Sequence, residues 1–128
     1  MKAEDNVFDP ARSVTAEDTA NALETFGISA SSLDTLPSDP SFVITKSAFL
    51  RILSEAFAPK LKQILKTKSP EEFTAAWNAI PTNVPYYYAV RDALVAGWIS
   101  MPQGSFQGSA PLNRAEMAVI LLRVASSR

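Results

Sequence analysis

The chain contains no cysteine. Disulfides, zinc–thiolate sites, iron–sulfur clusters and thiol nucleophiles are thereby excluded. It contains no histidine, which removes the commonest general base and the commonest transition-metal ligand. Only four glycines are present, so a phosphate-cradling loop has little material. An excess of either charge is also missing. Twelve Lys and Arg stand against 13 Asp and Glu, and a net charge of −1 offers no global field for nucleic acid or a membrane surface. No stretch approaches the roughly 20 consecutive apolar residues of a membrane span. After Lys2 no apolar segment follows, so the polar start Met1-Lys2-Ala3-Glu4-Asp5-Asn6 does not read as a signal peptide. It fits either a chain that stays where it is made or a mature chain whose targeting segment has gone.

What is present is a chain of 128 residues, 47% of them hydrophobic, enough for one compact core and too many for a disordered segment. Helical spacing dominates it. Residues 1–14, with Asp9-Pro10 and scattered charge, read as an extended arm. Thr15 opens a helix with Asp18 as capping-box partner, Leu23 and Phe26 on its apolar face, and Gly27 as its stop. Residues 28–44 hold Pro37 and Pro40 and read as a long loop or single turns. Thr45 caps a second helix with Phe49, Ile52, Leu53 and Phe57 on one face. Pro59 should kink or break it, yet the stripe resumes in phase at Leu61, Ile64 and Leu65. One kinked helix to about residue 67 is the preferred reading, and two abutting helices the alternative. Ser69-Pro70-Glu71-Glu72 is the clearest helix start, with Ser69 at the N-cap and Pro70 at N1. Phe73, Ala76, Trp77 and Ile80 form the buried face of that helix. A further helix runs through Tyr87, Val90, Ala93 and Leu94 to Gly97.

Residues 98–112 change character, with Pro102, Gly104, Gly108 and Pro111 among polar residues, and read as a flexible or functional loop whose Trp98 and Phe106 either fold back onto the last helix or meet a partner. The last helix, about 113–126 with Asn113 at its cap, is apolar nearly all round and must be covered by something. The expectation is an all-α fold. An antiparallel four-helix bundle over residues 15–97 follows the arm of residues 1–14, and a flexible loop plus C-terminal helix occupies 98–128.

Chemistry has few places to reside. Glu17 with Asp18, and Glu71 with Glu72, are adjacent on helices and point in different directions, so neither pair converges on one atom. Acids in a first helical turn oppose the dipole and need no further role. No calcium-loop pattern occurs, and no nucleophile has a recognisable base. The chain therefore reads as a binding protein rather than an enzyme, without cofactor or metal. Its candidate contact residues are basic. Lys60, Lys62, Lys66 and Lys68 fall within nine residues that hold no acid, and Lys62 and Lys66 share a helix face. Such a run is a solvated helix end or a docking patch for an acidic protein surface. It lacks the interleaved aromatics of a single-strand nucleic-acid site. Tyr86-Tyr87-Tyr88 cannot all face one core, so at least one is exposed or at an interface.

Two resemblances bear on function. The segment Ala89-Val90-Arg91-Asp92-Ala93-Leu94-Val95-Ala96-Gly97-Trp98-Ile99-Ser100, then Gly104-Ser105-Phe106, then Leu112-Asn113-Arg114-Ala115-Glu116-Met117-Ala118, resembles one S-layer homology repeat. In that family a helix and a Gly-containing loop with Phe lead to a second helix opening Thr-Arg-Ala-Glu; here Asn113 replaces the Thr. Ile44-Thr45-Lys46-Ser47-Ala48-Phe49 is an earlier echo. The resemblance implies binding of cell-envelope polysaccharide, for which the family usually needs three repeats, with Arg114 as the carrying residue. The whole plan, four helices followed by a loop and one more helix in a chain free of Cys and His, is similar to the extrinsic photosystem II subunit of diatoms. That family has a PsbQ-like bundle, lies on the lumenal face of the thylakoid membrane and helps retain the oxygen-evolving centre. This second resemblance implies a peripheral subunit, monomeric when isolated. Its partners would be the photosystem II core and other extrinsic subunits, contacted through the lysines and not through nucleic acid. It is the narrowly preferred reading, and a bacterial cell-envelope module is the alternative.

Overall fold

The computed structural model describes residues 11–81, 83–100 and 108–127. Among them the fold is all-α. In chain order come α1 (Ala16–Glu24), a single 3₁₀ turn (Ala30–Ser32), α2 (Lys46–Ala56), α3 (Ala58–Lys66), α4 (Pro70–Ala79), α5 (Tyr87–Val95) and α6 (Arg114–Ser126). The helix starts lie where the capping chemistry places them. Thr15 accepts from the Asp18 amide while the Thr15 amide donates to the Asp18 carboxylate. Ser69 with Glu72, and Asn113 with Glu116, close the same reciprocal box. Thr45 makes half of one, because residue 48 is Ala. Gly27 and Gly97 take positive φ after α1 and α5. The next amides, of Ile28 and Trp98, then reach back five residues to the carbonyls of Leu23 and Ala93.

At Pro59 the chain forms two abutting helices rather than one kinked helix. The Phe57 backbone leaves the helical region between them, and Pro59 sits in the first turn of α3, where its missing N–H costs nothing. The tightest helix–helix packing is α2 against α5, with α4 and α3 also against α5. Leu23, Phe49, Leu53, Leu61 and Val90 are buried as their spacing requires. Phe57, Phe73 and Leu94 are half-buried. Two expected core residues are not core. Phe26 is 39% exposed because it lies past the last turn of α1, and Trp77 is 45% exposed on the outer side of α4. Of the four residues expected on the apolar face of α4, Ala76 and Ile80 are buried and Phe73 is half-buried.

One hydrophobic core unites the ends of the chain with its middle. Val14, from the segment read as an arm, and Leu112, Leu121 and Val124, from the C-terminal segment, share it with Ile44, Leu53 and Val90. Trp98, read as part of a flexible loop, is fully buried. Its ring packs edge-on to Phe57 and its Nε1 donates to Ser127 Oγ. Ile99 beside it is buried as well, and residues 101–107, Phe106 among them, lie outside the described residues.

Candidate functional site

Three short extended segments meet at one point, and each runs directly into a helix. They are residues 12–16 before α1, 42–46 before α2 and 110–114 before α6. Their central apolar residues, Val14, Ile44 and Leu112, are fully buried. Each precedes an N-cap: Thr15, Thr45 or Asn113. The backbone closes a ring. Val14 N–H donates to Leu112 O at 2.8 Å, Leu112 N–H to Ile44 O at 2.9 Å, and Ile44 N–H to Val14 O at 2.9 Å. A second ring surrounds it, with Ala16 N–H donating to Phe42 O, Lys46 N–H to Ala110 O and Arg114 N–H to Arg12 O. Each segment therefore gives one bond to each neighbour and accepts one from each. That is the pattern of a pseudo-threefold axis. Eight residues beyond each cap the same correspondence returns a buried leucine: Leu23, Leu53 and Leu121.

Side chains follow the same order. The residue after one cap pairs with the residue three beyond the next. Lys46 Nζ meets Glu116 at 2.9 Å, and Arg114 Nη2 meets Asp18 at 3.1 Å. The third such pair would be Ala16 with Ala48, where no charge exists. The hub is thus bound by ion pairs across two junctions and by backbone alone across the third. Arg114, the candidate glycan residue, is fixed in this ring with its guanidinium about four-fifths covered. Its remaining N–H groups have no partner among the described residues. At the second segment the Ser47 hydroxyl is fully buried without a hydrogen-bond partner among the described residues. Its counterparts in the other two segments are Glu17 and Ala115.

A second surface forms where α4 meets α5. Trp77 packs edge-on to Tyr87 and tilted to Tyr88, and the Tyr87 hydroxyl donates to the Trp77 carbonyl. Arg91 lies over both Phe73 and Tyr88 while its Nε and Nη2 hold Asp92 Oδ1. Tyr86, in the left-handed region at φ 54°, puts its ring under Arg51. Trp77, Tyr86 and Tyr88 stay exposed, Tyr88 by 62%, which meets the expectation for the tyrosine run.

The lysine run divides. Lys62 and Lys66 line a wide, open trough of about 490 Å3 between α2, α3 and α5, whose apolar lining is exposed Ala58, half-buried Leu65 and the buried Leu61. Ser54 and Asp92 complete its lining. Lys60 and Lys68 lie outside that lining and are half-buried. Arg114 belongs to the hub, so the structure does not gather the five candidate residues into one site.

Sequence reasoning found the second and third helix starts of the hub but did not connect the first to them. The signal was available. Asp9-Pro10 stands five residues ahead of Val14-Thr15 just as Asp39-Pro40 stands ahead of Ile44-Thr45, an internal repeat thirty residues apart. Among the described residues no cluster of metal-ligating side chains forms, and no helix is long and apolar enough to cross a membrane. Comparison of the chain with protein-family models, with curated proteins and with solved structures finds no match.

Proposed function

We propose that the chain is a polysaccharide-binding module of the S-layer homology type, acting at a bacterial cell envelope and not as an enzyme. The observation that carries this reading is the closed ring of Val14, Ile44 and Leu112. The family resemblance calls for three repeats, and the sequence offers one good repeat and one echo. The ring supplies a third helix start equivalent to the other two. Exposed Trp77 and Tyr88, with Arg51 and Arg91 beside the tyrosine rings, add the aromatic and cationic groups against which sugar rings and their acidic substituents pack. Arg114 contributes the N–H groups that have no partner among the described residues, at the junction with α1.

A second reading is retained because one observation favours it. Among the described residues Lys62 and Lys66 have no ion-pair partner, as a subunit docking on an acidic membrane complex would require. This is the extrinsic photosystem II subunit of the thylakoid lumen, built on an antiparallel four-helix bundle. With the break at Phe57 counted as a kink, residues 15–97 supply its four helical units.

Sedimentation separates the two. The protein should pellet with purified bacterial sacculi that keep their attached polysaccharide, and stay in solution once that polymer is chemically stripped. Arg114→Gln should reduce the pelleted fraction severalfold while the unfolding midpoint shifts little. Failure to pellet with intact sacculi sinks the glycan reading. Salt-reversible retention on thylakoid membranes washed free of extrinsic proteins would establish the other.

A further inference from the structure

The trough between α2, α3 and α5 includes no residue of the three cap segments in its lining. We propose that it docks an acidic amphipathic helix of a partner protein. Ala58, Leu61 and Leu65 stand at i, i+3 and i+7 on α3, so the apolar floor runs about 10 Å along that helix. This is the footprint of two turns of a second helix that presents its own apolar residues at i, i+3 or i+4, and i+7. Charge selects the rest of the partner. Lys62 and Lys66, four residues apart, stand on one side of the floor, and neither has an ion-pair partner among the described residues. The single acid in the lining, Asp92, is already held by Arg91 through two N–H groups. A basic helix would meet two uncompensated lysines. Nucleic acid would leave the leucine floor unused and find no ring in the lining on which to stack a base. An acidic helix with one apolar stripe satisfies both the floor and the rim. This inference is independent of the polysaccharide reading, because it uses none of the hub residues, and it shares Lys62 and Lys66 with the membrane-complex reading.

The test uses the intact protein and a dye-labelled synthetic helix of about four turns, with leucines at that spacing and glutamates on both flanks. Fluorescence anisotropy should give saturable binding in the micromolar range, weakened at least about tenfold between low salt and 1 M salt, where the Debye length falls to roughly 3 Å. Lys62→Glu/Lys66→Glu should abolish that binding and instead admit the same peptide with lysine in place of glutamate. Ala58→Trp, a substitution at an exposed position, should fill the trough and block the acidic peptide at unchanged melting temperature. Lys62→Gln/Lys66→Gln provides the same loss of charge if the reversal disturbs folding. Equal affinity for acidic and basic peptides overturns the proposal. So does binding that survives both the charge variants and Ala58→Trp, no binding up to about 1 mM, or capture by phosphatidylglycerol vesicles in place of the peptide.

Discussion

Ser47 and Glu55 show how much a single polar group depends on its surroundings. The Ser47 hydroxyl is buried at the hub with no partner among the described residues, and desolvating an unpaired hydroxyl costs about 1–3 kcal/mol. The corresponding residue in the first turn of α6 is Ala115. Ser47→Ala should therefore raise stability by roughly 1 kcal/mol, read as a higher urea midpoint at constant slope. Loss of stability would mean that the hydroxyl is satisfied. Glu55 is the opposite case. Its carboxylate accepts from the Asp34 and Thr35 amides and from the Thr35 hydroxyl, tying the loop after the 3₁₀ turn to α2. Those bonds, the Asp34 amide foremost, hold its carboxyl below the usual glutamate range. A depressed folded-state pKa means that the tie is fully present above the unfolded value and is lost as pH falls through the folded one. Hydrogen exchange at the Asp34 and Thr35 amides should thus be slow at neutral pH and lose protection relative to the hub amides as pH falls through the lowered folded-state value, while Glu55→Gln should flatten that profile. An unchanged profile in the variant would assign the acid response to another group.

At the scale of elements, spacing predicts which face of a helix is apolar but not whether anything covers it. Phe49 on α2 and Trp77 on α4 both sit on apolar stripes. Phe49 is fully buried, whereas Trp77 touches only Tyr87 and Tyr88 among aromatic rings and stays nearly half exposed. Phe49→Ala should cost about 3–5 kcal/mol and Trp77→Ala about 1 kcal/mol, compared by chemical denaturation. Near-equal losses would place Trp77 in the core after all. If the aromatic surface contacts glycan, Trp77→Ala should lower sacculus binding more than it lowers stability. The outer face of α6 extends the same lesson. Val119 and Leu122 are exposed, Leu122 by 67%, although the helix is apolar nearly all round and was expected to be covered.

For the whole molecule, the hub is what joins distant parts of the chain. Leu112 closes the backbone ring with Val14 and Ile44, and Leu121 and Val124 enter the common core. Ending the chain at residue 109 removes one of three spokes. The shortened protein should lose the cooperative thermal transition, followed by circular dichroism, and its α1 and α2 amides should exchange freely. A folded remainder with a sharp transition would show that residues 15–97 form a separate unit. The two ion pairs of the hub are partly exposed, so they contribute less to holding it than the buried ring does. Each falls in the range of about 0–1 kcal/mol.

Local chemistry was decided by the sequence alone. Helix starts at Thr15, Thr45, Ser69 and Asn113, stops at Gly27 and Gly97, and the all-α class follow from caps, positive-φ glycines and 3.6-residue spacing. Those signals act over one or two turns and need no partner elsewhere. The choice at Pro59 between a kink and a break was not local, because the apolar stripe is in phase on either side. The meeting of residues 12–16, 42–46 and 110–114 was decided only in three dimensions. It depends on backbone hydrogen bonds between segments up to about a hundred residues apart, and backbone donors carry no residue identity. The same reason explains the dispersal of the candidate contacts. Lys62 and Lys66 reach one trough through the packing of α3 against α5, and Arg114 reaches Asp18 through the ring. Which helix covers which face is set by the fit of whole elements, and that information is spread over the entire core.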